Sequence, residues 1–301
     1  MVAAFQRFFI PSTKLMTAQG IIFNPDGQGI RMQWTITRDN TPTPDTGEVV
    51  IFNLSPALSG AIYEAWSAFS KSSGYLVDFG IGWERLSQTV IRGDVWRFVP
   101  AKRTPTDVLS IFSIGDGIKN VRDQATGASF SKVDLGTVLT AFITLPPNPG
   151  DTAGGGLGLL YPPESKALVS AAAAALKVRT FNNIPAGYNT RTFIDFAMAT
   201  LGLEWRVHNG AFVVMRGGIS DRLPPILAPR TGLIEYQVRD DGGIDLSALA
   251  NPDVEPGVQV LVQDDRGVPF GAPAYRVDKV IFTGDTTAES LMQVSASKAL
   301  I

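Results

Sequence analysis

The sequence predicts an α+β fold that is mainly β, with two related β regions flanking a smaller α/β region. Residues towards both ends of the chain alternate between apolar and polar, as strands do, whereas the middle places apolar residues at helical spacing. Segments of the two β regions also resemble each other in the same order. We therefore divide the 301-residue chain into predicted domains at 1–115, 116–228 and 229–301.

Composition excludes several classes of function. Charged residues make up 18% of the chain, below the usual share of roughly a quarter. The surface is therefore either partly buried against partner subunits or built from the Ser, Thr, Gly and Pro of a β-rich fold. A net charge of −2, without any long run of Lys or Arg, does not fit a protein that binds specific nucleic-acid sequences.

The cysteine content and hydropathy of the chain bear on its possible disulfides, zinc sites and membrane spans. The chain has no cysteine, which excludes structural disulfides and Cys-ligated zinc. No stretch approaches the roughly 20 apolar residues of a membrane span. The opening residues MVAAFQRFFIPSTK do not match a signal peptide, because Gln6 and Arg7 interrupt the apolar run. We expect no membrane insertion by this chain, and assembly in a cytoplasm.

The first region is predicted to contain five strands and one helix. IRMQWTITRD and GEVVIFNL alternate as strands, and NPDGQG at 24–29 has the composition of a hairpin turn. SPALSGAIYEAWSAF at 55–69 predicts a helix, with Ser55 as its N-cap and Pro56 as its first residue. The remaining strands are predicted in GYLVDFGIGW, QTVIRGDVWRFV and TDVLSIFSIGD.

The middle region is predicted to contain three helices and a hairpin. The helices lie in KVDLGTVLTAFI, ESKALVSAAAAALKVRTF and NTRTFIDFAMATLGLEW, the last capped by Asn189 or Thr190. A Pro- and Gly-rich loop occupies 144–163, and Asn209-Gly210 is the favoured turn of a hairpin. Segment 223–230, LPPILAPR, is predicted to be a rigid linker. The apolar face of the last helix is predicted to comprise Phe193, Phe196, Ala197 and Leu201.

The last region returns to strands and repeats the first. Its strands are predicted in GLIEYQVRD, GIDLSAL, GVQVLVQD, AYRVDKVIFTGD and SLMQVSASKAL. Four segments match in order: 47–56 with 243–252, 74–83 with 257–267, 90–98 with 280–290, and 106–115 with 290–299. This order indicates an internal repeat, in which the first copy carries the additional helix at 55–69.

Arg92-Gly93-Asp94 has the composition of a cell-adhesion motif. The second β region places the same Val-Ile before a Gly-Asp pair but lacks the arginine, which favours an architectural role. The apolar neighbours Val90, Ile91 and Val95 predict a buried strand rather than an exposed loop. Adhesion through this tripeptide is therefore the least favoured function.

We interpret three dipeptides as structural turns. In a turn or bulge, Gly supplies a positive φ, and Asp accepts a hydrogen bond from a backbone N–H two residues further on. The predicted turn residues are Gly93, Asp94, Gly284, Asp285, Asn251 and Pro252.

Candidate catalytic residues are scarce. The single histidine, His208, precedes a hairpin turn, where we expect it to be at least half exposed and without an assigned role. One histidine and no cysteine do not supply a nucleophilic triad or a His-ligated zinc site. The adjacent pairs Asp240-Asp241 and Asp264-Asp265 are typical of turns and do not suit glycoside hydrolysis or calcium binding. GGGLG at 154–158 lacks the Lys-Ser/Thr of a phosphate loop. We predict no catalytic, cofactor-binding or metal-binding residue.

The motifs of the last region resemble those of baseplate or tail hub proteins of tailed bacteriophages and related contractile injection particles. That family places a Gly-Leu-Ile strand, an Asn-Pro then Pro-Gly segment, and a strand ending in Gly-Asp in this order. Here they stand as Thr231-Gly232-Leu233-Ile234, Asn251-Pro252, Pro256-Gly257, Tyr275 and Gly284-Asp285. The segments VVIFNLSP, GYLVDFGIGW and VIRGDVWRF resemble the family's opening domain. One departure is Phe282-Thr283, where the family often has a histidine, and we interpret this position as a packing residue.

The resemblance implies two related antiparallel β-barrel domains flanking the middle domain. It also implies a homotrimeric ring with pseudo-six-fold symmetry that adapts a six-fold tail tube to a three-fold spike and lets DNA pass. The implied partners are further copies of this chain, a tail tube or distal tail protein, a central spike or tip protein, and the tape-measure protein. The implied location is the virion, as a non-enzymatic component. A tail-associated cell-wall hydrolase is the alternative.

Overall fold

Antiparallel strands dominate the protein. A computed structural model describes residues 11–17, 22–23, 30–69, 75–83, 86–116, 133–145, 157–177, 180–181, 189–216 and 223–299. Strands account for 46% of the structure, and four α-helices lie among the described residues. The mainly β class that the sequence predicts is confirmed.

The elements follow one another in an order close to that predicted. The helices are α1 (Pro56–Phe69), α2 (Leu135–Thr144), α3 (Pro163–Ala175) and α4 (Thr190–Thr200), and a 3-10 helix spans Pro229–Thr231. The strands of the first half are β1 (Pro11–Thr17), β2 (Ile22–Phe23), β3 (Met32–Asp39), β4 (Thr46–Phe52), β5 (Leu76–Trp83), β6 (Leu86–Arg103), β7 (Val108–Gly115) and β8 (Val133–Asp134). The strands of the second half are β9 (Thr180–Phe181), β10 (Leu203–His208), β11 (Ala211–Arg216), β12 (Ile226–Leu227), β13 (Leu233–Val238), β14 (Ile244–Leu249), β15 (Gln259–Val262), β16 (Tyr275–Asp285) and β17 (Leu291–Lys298).

The chain folds into two compact units. The first comprises Met1–Asn40, Asp45–Asp116 and Ser220–Ile301, and the second comprises Thr41–Pro44 and Gly117–Ile219. Both terminal β regions therefore belong to one unit. The arrangement of two separate barrels around a middle domain, and the domain boundaries with it, stay predictions.

One sheet of 13 strands runs through the first unit and curls into a half-barrel. Its strands are neighbours in the order β13-β14-β17-β16-β3-β4-β7-β6-β5-β1-β2, and β15 pairs with β16 beyond this path. The segment 223–230 is not the predicted linker. Its β12 pairs in parallel with β15, and Leu227 and Ala228 are buried, because Leu227 packs into the apolar core of this unit.

The internal repeat is visible in the strand pairing. Repeat A is β3-β4-β7-β6-β5, and repeat B is β13-β14-β17-β16-β15; within each, the strands pair in that order. All four segment pairs matched in the sequence fall on equivalent strands, so the predicted order of the repeat is confirmed. The two repeats join where β16 pairs antiparallel with β3.

A β-bulge fixes the residue-level alignment of the repeats. In repeat A, β6 shifts register against β7 between Val95 and Arg97. In repeat B, β16 shifts register against β17 between Val277 and Lys279. An extra residue at the same place in two equivalent strands is a specific landmark, so Val95 corresponds to Val277.

Hydrogen bonds to the neighbouring strand support this alignment and correct the one made from sequence. The Val95 N–H donates to the Tyr75 carbonyl, and the Val277 N–H donates to the Val258 carbonyl, both at 2.9 Å. Gly93-Asp94 therefore precedes the bulge of its strand, whereas Gly284-Asp285 lies well beyond the bulge of the other. The shared Gly-Asp was a misleading guide to register, since short apolar strands resemble one another by chance.

The two faces of the sheet follow from the alternation of residues along each strand. One face is buried and apolar, and its residues in β3, β4, β7 and β16 include Met32, Trp34, Ile36, Val49, Ile51, Phe112, Ile114, Val280 and Phe282. Phe282, which stands near the family's frequent histidine, is fully buried, in agreement with the predicted packing role. The other face carries polar residues.

Helix α1 forms where the sequence predicted it, and it packs against repeat A. The Leu58 N–H donates to the Ser55 hydroxyl at 3.3 Å, which makes Ser55 the N-cap. Ile62 is fully buried in the core, and the Trp66 indole N–H donates to the Val95 carbonyl at 2.8 Å. The helix is thereby attached to the bulge of β6.

The second unit has its own core between three helices and the β10–β11 hairpin. Asp134 caps α2 and Asn189 caps α4, each accepting from a backbone N–H at 3.0 Å, so Asn189 and not Thr190 is the cap. Asn209 and Gly210 have φ of 52° and 76°, the left-handed conformation that a two-residue hairpin turn needs.

One prediction for the second unit needs correction. Phe196 is 57% exposed, whereas Ile194 and Met198 are buried, so the buried stripe of α4 is rotated from the predicted one. Within the predicted loop at 144–163, Leu157, Leu159 and Tyr161 are buried in the core. Residues 146–156 of that loop, and the predicted turn at 24–29, lie outside the described residues. No helix among the described residues is long and apolar enough to span a membrane.

Candidate functional site

The Arg92-Gly93-Asp94 tripeptide lies inside β6 and not in a loop. Gly93 and Asp94 are buried, Asp94 being 8% exposed, while Arg92 is exposed. A recognition loop has to present the carboxylate of its aspartate to a partner, and this burial prevents it. The structure therefore gives no support to an adhesion site here.

Both Gly-Asp pairs need a glycine because other atoms of the protein lie too close for a Cβ atom. A positive φ is not the reason. Neither Gly93 nor Gly284 is among the glycines with positive φ. A Cβ atom on Gly93 would lie 2.5 Å from the carbonyl oxygen of Gly115 and 2.8 Å from the Asp116 nitrogen. A Cβ atom on Gly284 would overlap the ring of Trp34. Sequence reasoning identified the glycines but assigned them the wrong physical cause.

Asp285 is the centre of a polar cluster at the junction of the two repeats. Its Oδ2 accepts from Arg31 Nε at 2.9 Å, from Arg31 Nη2 at 2.8 Å and from Gln33 Nε2 at 2.8 Å. Its Oδ1 accepts from the Thr287 N–H at 2.9 Å and from the Thr287 hydroxyl at 2.7 Å. The Thr287 contact is the one that sequence predicted. Arg31 and Gln33 are about 250 residues away in the chain, so the sequence around Asp285 does not predict their contacts with it.

The hydrogen bonds of this cluster hold together β3 and β16, the strands that join the repeats. Arg31 and Gln33 belong to the entry of β3, and Asp285 ends β16, so the carboxylate ties repeat B to repeat A. Burial alone would raise the pKa of Asp285, but the hydrogen bonds from Arg31, Thr287 and Gln33 together hold that pKa well below its ordinary value. The Arg31 guanidinium also lies 4.4 Å from the centre of the Phe52 ring, which fixes its position.

Replacing Asp285 by asparagine is expected to lower the free energy of unfolding by about 2 kcal/mol at pH 7, because hydrogen bonds to a charged group are lost. A carboxyl whose folded pKa is depressed stabilises above its unfolded pKa of about 3.9, and that stability is lost as the pH falls. The difference in free energy of unfolding between the wild type and Asp285→Asn should therefore become smaller below about pH 4. Urea unfolding at pH 7, 5 and 3 measures it. A gap that stays constant with pH would contradict this role of the charge.

The remaining turn residues are placed in turns. The Asn251 Oδ1 accepts from the Asp253 N–H at 3.0 Å, with Pro252 between them. Asp241 and Asp264 each accept from backbone N–H groups of their own turns. His208 is half-buried at the end of β10, as expected from its position before the hairpin turn.

The polar face is the side of the sheet opposite the apolar core, and it also carries the half-buried Val50, Ile111 and Ile281. We define it by the outward residues of both repeats. Its members in repeat A include Gln33, Thr35, Thr37, Thr46, Glu48, Arg97 and Ser113, and in repeat B Glu235, Gln237, Asp245, Ser247, Lys279, Thr283, Gln293 and Ser295. In repeat B it forms a groove of about 500 Å³ over β13, β14, β16 and β17.

The polar face has the same chemistry in both repeats. Glu48 lies opposite Ser113 in repeat A, and Asp245 lies opposite Ser295 in repeat B, where the Ser295 hydroxyl donates to the Asp245 carboxylate. The face passes without interruption through the junction, where Thr283 lies opposite Thr35.

No family model and no curated protein matches this chain, but solved structures share its fold. The 43 kDa tail protein of prophage MuSo2 from Shewanella oneidensis aligns with a TM-score of 0.63 and 12% identity, covering 96% of this chain and 98% of that one. The tail protein from Neisseria meningitidis aligns with a TM-score of 0.59 and 11% identity, covering 96% of each chain.

A third structure is an Escherichia coli component of the type VI secretion system, described as structurally similar to bacteriophage tail proteins. It aligns with a TM-score of 0.57 and 11% identity, covering 95% of this chain and 77% of that one. At these identities the likeness shows the fold. The chain therefore has the fold of phage tail proteins over most of its length, and the resemblance found in its motifs is confirmed at that level.

Proposed function

We propose that this protein is the structural hub of a phage tail baseplate or tail tip, or of a related contractile injection particle. In this proposal three copies form a ring with pseudo-six-fold symmetry. The ring adapts a six-fold tail tube to a three-fold spike and lets DNA pass. The observation that carries the proposal is the pair of repeats with identical strand order, joined edge to edge in one sheet.

The repeats support the symmetry of the proposed ring. Three copies of a chain with two equivalent repeats present six similar units around an axis, which is what a joint between six-fold and three-fold partners needs. The shared bulges at Val95 and Val277 show that the likeness extends to the backbone.

The polar face supports passage of DNA. A bore that carries DNA has to avoid the dense positive charge that makes non-specific binding tight. The face carries acids at Glu48, Glu235 and Asp245 and bases at Arg97 and Lys279, so it has no excess of positive charge. We propose that this face lines the bore, and that the tail tube or distal tail protein, the spike or tip protein and the tape-measure protein contact the ring.

We propose further that the protein acts in the virion without catalysis and assembles in the host cytoplasm. The support is the burial of Asp94 and the use of Asp241, Asp264 and Asp285 as hydrogen-bond acceptors within their own turns or junction. These carboxylates are occupied by structural contacts. A cell-wall hydrolase would instead present a pair of carboxylates to a bound saccharide.

Deletion of the gene from the phage or prophage that encodes this chain tests the hub directly. We expect particles without functional tails, in which the tail ends before the spike is added, and recovery when the wild-type gene is supplied in trans. Electron microscopy of the particles is the measurement. Complete tails with spikes in the deletion strain would contradict the hub.

The mass of the purified protein by light scattering, over a range of concentrations, tests the ring. We expect about three times the mass of one chain, which is 32.3 kDa. A monomeric mass at every concentration would contradict a ring that forms without partners. A muralytic assay on the same sample tests the hydrolase alternative, and release of cell-wall fragments would favour that alternative.

A further inference from the structure

The two repeats differ at one place on the polar face, next to the shared bulge. In repeat B the extra residue of the bulge is Asp278, and the Ser297 hydroxyl lies 2.8 Å from its Oδ1 and 2.7 Å from its Oδ2 and donates to this carboxylate. In repeat A the extra residue is Trp96, and β7 has Gly115 where β17 has Ser297. An indole and a glycine therefore replace a hydrogen-bonded polar pair.

Alternation along the strands places Trp96 on the polar face. Val95 is buried in the apolar core, so the side chain of the residue after it lies on the opposite face of the sheet. The same rule places Leu76 there, because Val77 belongs to the core. Leu76 lies opposite Asp94, two residues before Trp96, which is a diagonal that long side chains can span. Leu76 and Trp96 are 43% and 49% exposed, and we name these two side chains the Trp96 patch.

The equivalent positions of repeat B are polar. In repeat A the carbonyl that accepts from the N–H before the bulge belongs to the residue preceding Leu76, and in repeat B it belongs to the residue preceding Gln259. Leu76 and Gln259 are therefore equivalent. Repeat B thus has two half-buried polar residues, Gln259 and Asp278, at the two positions of the Trp96 patch. The Trp96 patch therefore occurs once in each chain.

A patch that occurs once in each chain suits a partner with three-fold symmetry. Three copies with two equivalent repeats each offer six similar units to a partner with six-fold symmetry, and such a partner would contact both repeats alike. A patch in repeat A alone is repeated only three times around the proposed ring. The difference between the repeats therefore points to the three-fold spike or tip protein of the proposed function.

The surroundings of the Trp96 patch define the chemistry of the partner segment. Arg97 is exposed, follows Trp96 in β6 and lies opposite Ser113 on the polar face. An apolar side chain gains free energy when an indole and a leucine remove it from water, and a carboxylate beside it forms strong hydrogen bonds with a guanidinium. Duplex DNA suits this patch less well, because its bases are stacked and only its phosphates would reach the wall of the bore.

We propose that the Trp96 patch, with Arg97 beside it, is the docking site for an extended segment of the three-fold spike or tip protein. The segment presents an apolar side chain to Leu76 and Trp96, and a neighbouring Asp or Glu to Arg97. This site deepens the proposed function and rests on it. An extended segment suits the site better than a folded domain, because the patch lies on the face that we propose to line the bore.

Photo-cross-linking in assembled particles tests this site. The deletion strain is supplied with genes in which p-benzoylphenylalanine replaces either Trp96 or, as the control, Lys279. Lys279 is exposed and follows Asp278 in β16, so it reports the same region of repeat B. After irradiation we expect a product between this chain and the spike or tip protein from position 96 and not from position 279. Mass spectrometry of the product should identify a segment with an apolar residue next to Asp or Glu.

Each other outcome overturns the docking site. A product with a second copy of this chain, with the tail tube or tape-measure protein, or with DNA assigns the patch to a different contact. Equal yields from positions 96 and 279 show a partner that does not distinguish the repeats. Particles with complete tails and no product show that the spike or tip protein does not cover the patch. The deletion phenotype decides the hub separately, so the hub can stand when the site fails.

Conventional variants give a second measurement that does not need the photoreactive side chain. Trp96→Ser should lower the yield of particles with spikes about ten-fold, because it removes the aromatic anchor, and Arg97→Glu should lower it about ten-fold by placing like charges together. Trp96→Phe should retain most of the yield. Urea unfolding of each purified variant checks that the fold is kept, as expected for exposed positions. A folded Trp96→Ser protein with the wild-type yield of spiked particles would overturn the site.

Discussion

Replacing Arg38 by methionine is expected to lower the free energy of unfolding by about 4 kcal/mol, because it removes the cation that lies beside the buried Asp45 and the half-buried Glu255. Arg38 is fully buried. Its Nε lies 3.4 Å from Asp45 Oδ2 and its Nη2 lies 3.8 Å from Glu255 Oε2. Asp45 is 2% exposed, so water offers little screening to the charge that remains.

The position of Arg38 explains why its replacement should lower stability. Arg38 stands at the end of β3 in repeat A, and Glu255 precedes β15 in repeat B. The guanidinium therefore links both repeats at a second place, away from the Asp285 cluster. The Asp45 carboxylate also accepts from the Asp39 N–H at 3.2 Å, which orders the connection between β3 and β4.

A second substitution distinguishes charge from packing. Adding Asp45→Asn to Arg38→Met removes the buried negative charge that Arg38 faced, so the double variant should recover part of the lost stability. The control is Arg191→Gln, since Arg191 belongs to an exposed pair with Asp195 at 3.8 Å. That change should cost about 0.5 kcal/mol or less.

Urea unfolding followed by tryptophan fluorescence measures these changes. Trp205 is the tryptophan of the second unit, and the other four belong to the first. A Trp205→Phe background therefore makes the signal report the first unit. The Arg191→Gln control lies in the second unit, so it is measured with Trp205 retained. A double variant no more stable than Arg38→Met would show that loss of packing, and not the unpaired charge, causes the effect.

Replacing Gly93 by alanine is expected to destabilise the first unit by about 3 kcal/mol, because the new methyl group overpacks a site bounded by backbone. The nearest atoms are the carbonyl oxygen of Gly115 and the nitrogen of Asp116. Neither can turn away as a side chain can. Strands β6 and β7 pair at this place, with Asp94 opposite Gly115, so the strands themselves would have to separate.

The matched control for this change is Gly60→Ala. Gly60 lies within α1, and a Cβ there would meet nothing within 4 Å. Alanine should stabilise the helix by about 0.5–1 kcal/mol. The same fluorescence measurement serves both variants. A Gly93→Ala protein as stable as the wild type would show that the backbone here yields more easily than the structure indicates.

Local sequence signals succeeded where the physical cause was also local. Asn189 caps its helix through an N–H three residues away, and Asn209-Gly210 adopts the backbone that its turn requires. Alternation along each strand separated the apolar face from the polar face. These features depend on neighbours in the chain, and composition and spacing describe such neighbours well.

Signals of function were weaker, because they depend on contacts between distant segments. The Arg92-Gly93-Asp94 tripeptide lies in a strand, as its apolar neighbours predicted, but the reason for its glycine is Gly115, a residue on another strand. The linker prediction for 223–230 was wrong because Leu227 fills a core built mainly from other strands. The match of the two Gly-Asp pairs was wrong because strand register depends on bulges and partners.

The sequence by itself determined the mainly β class, the positions of the elements and the order of the repeat, since hydrophobic period and turn chemistry act within a few residues. Only the tertiary structure decided that both repeats share one sheet and that Arg31 and Gln33 hold Asp285. Strand pairing is a choice among distant segments of similar pattern. It is settled by register, burial and closure of the whole sheet, none of which a single strand encodes.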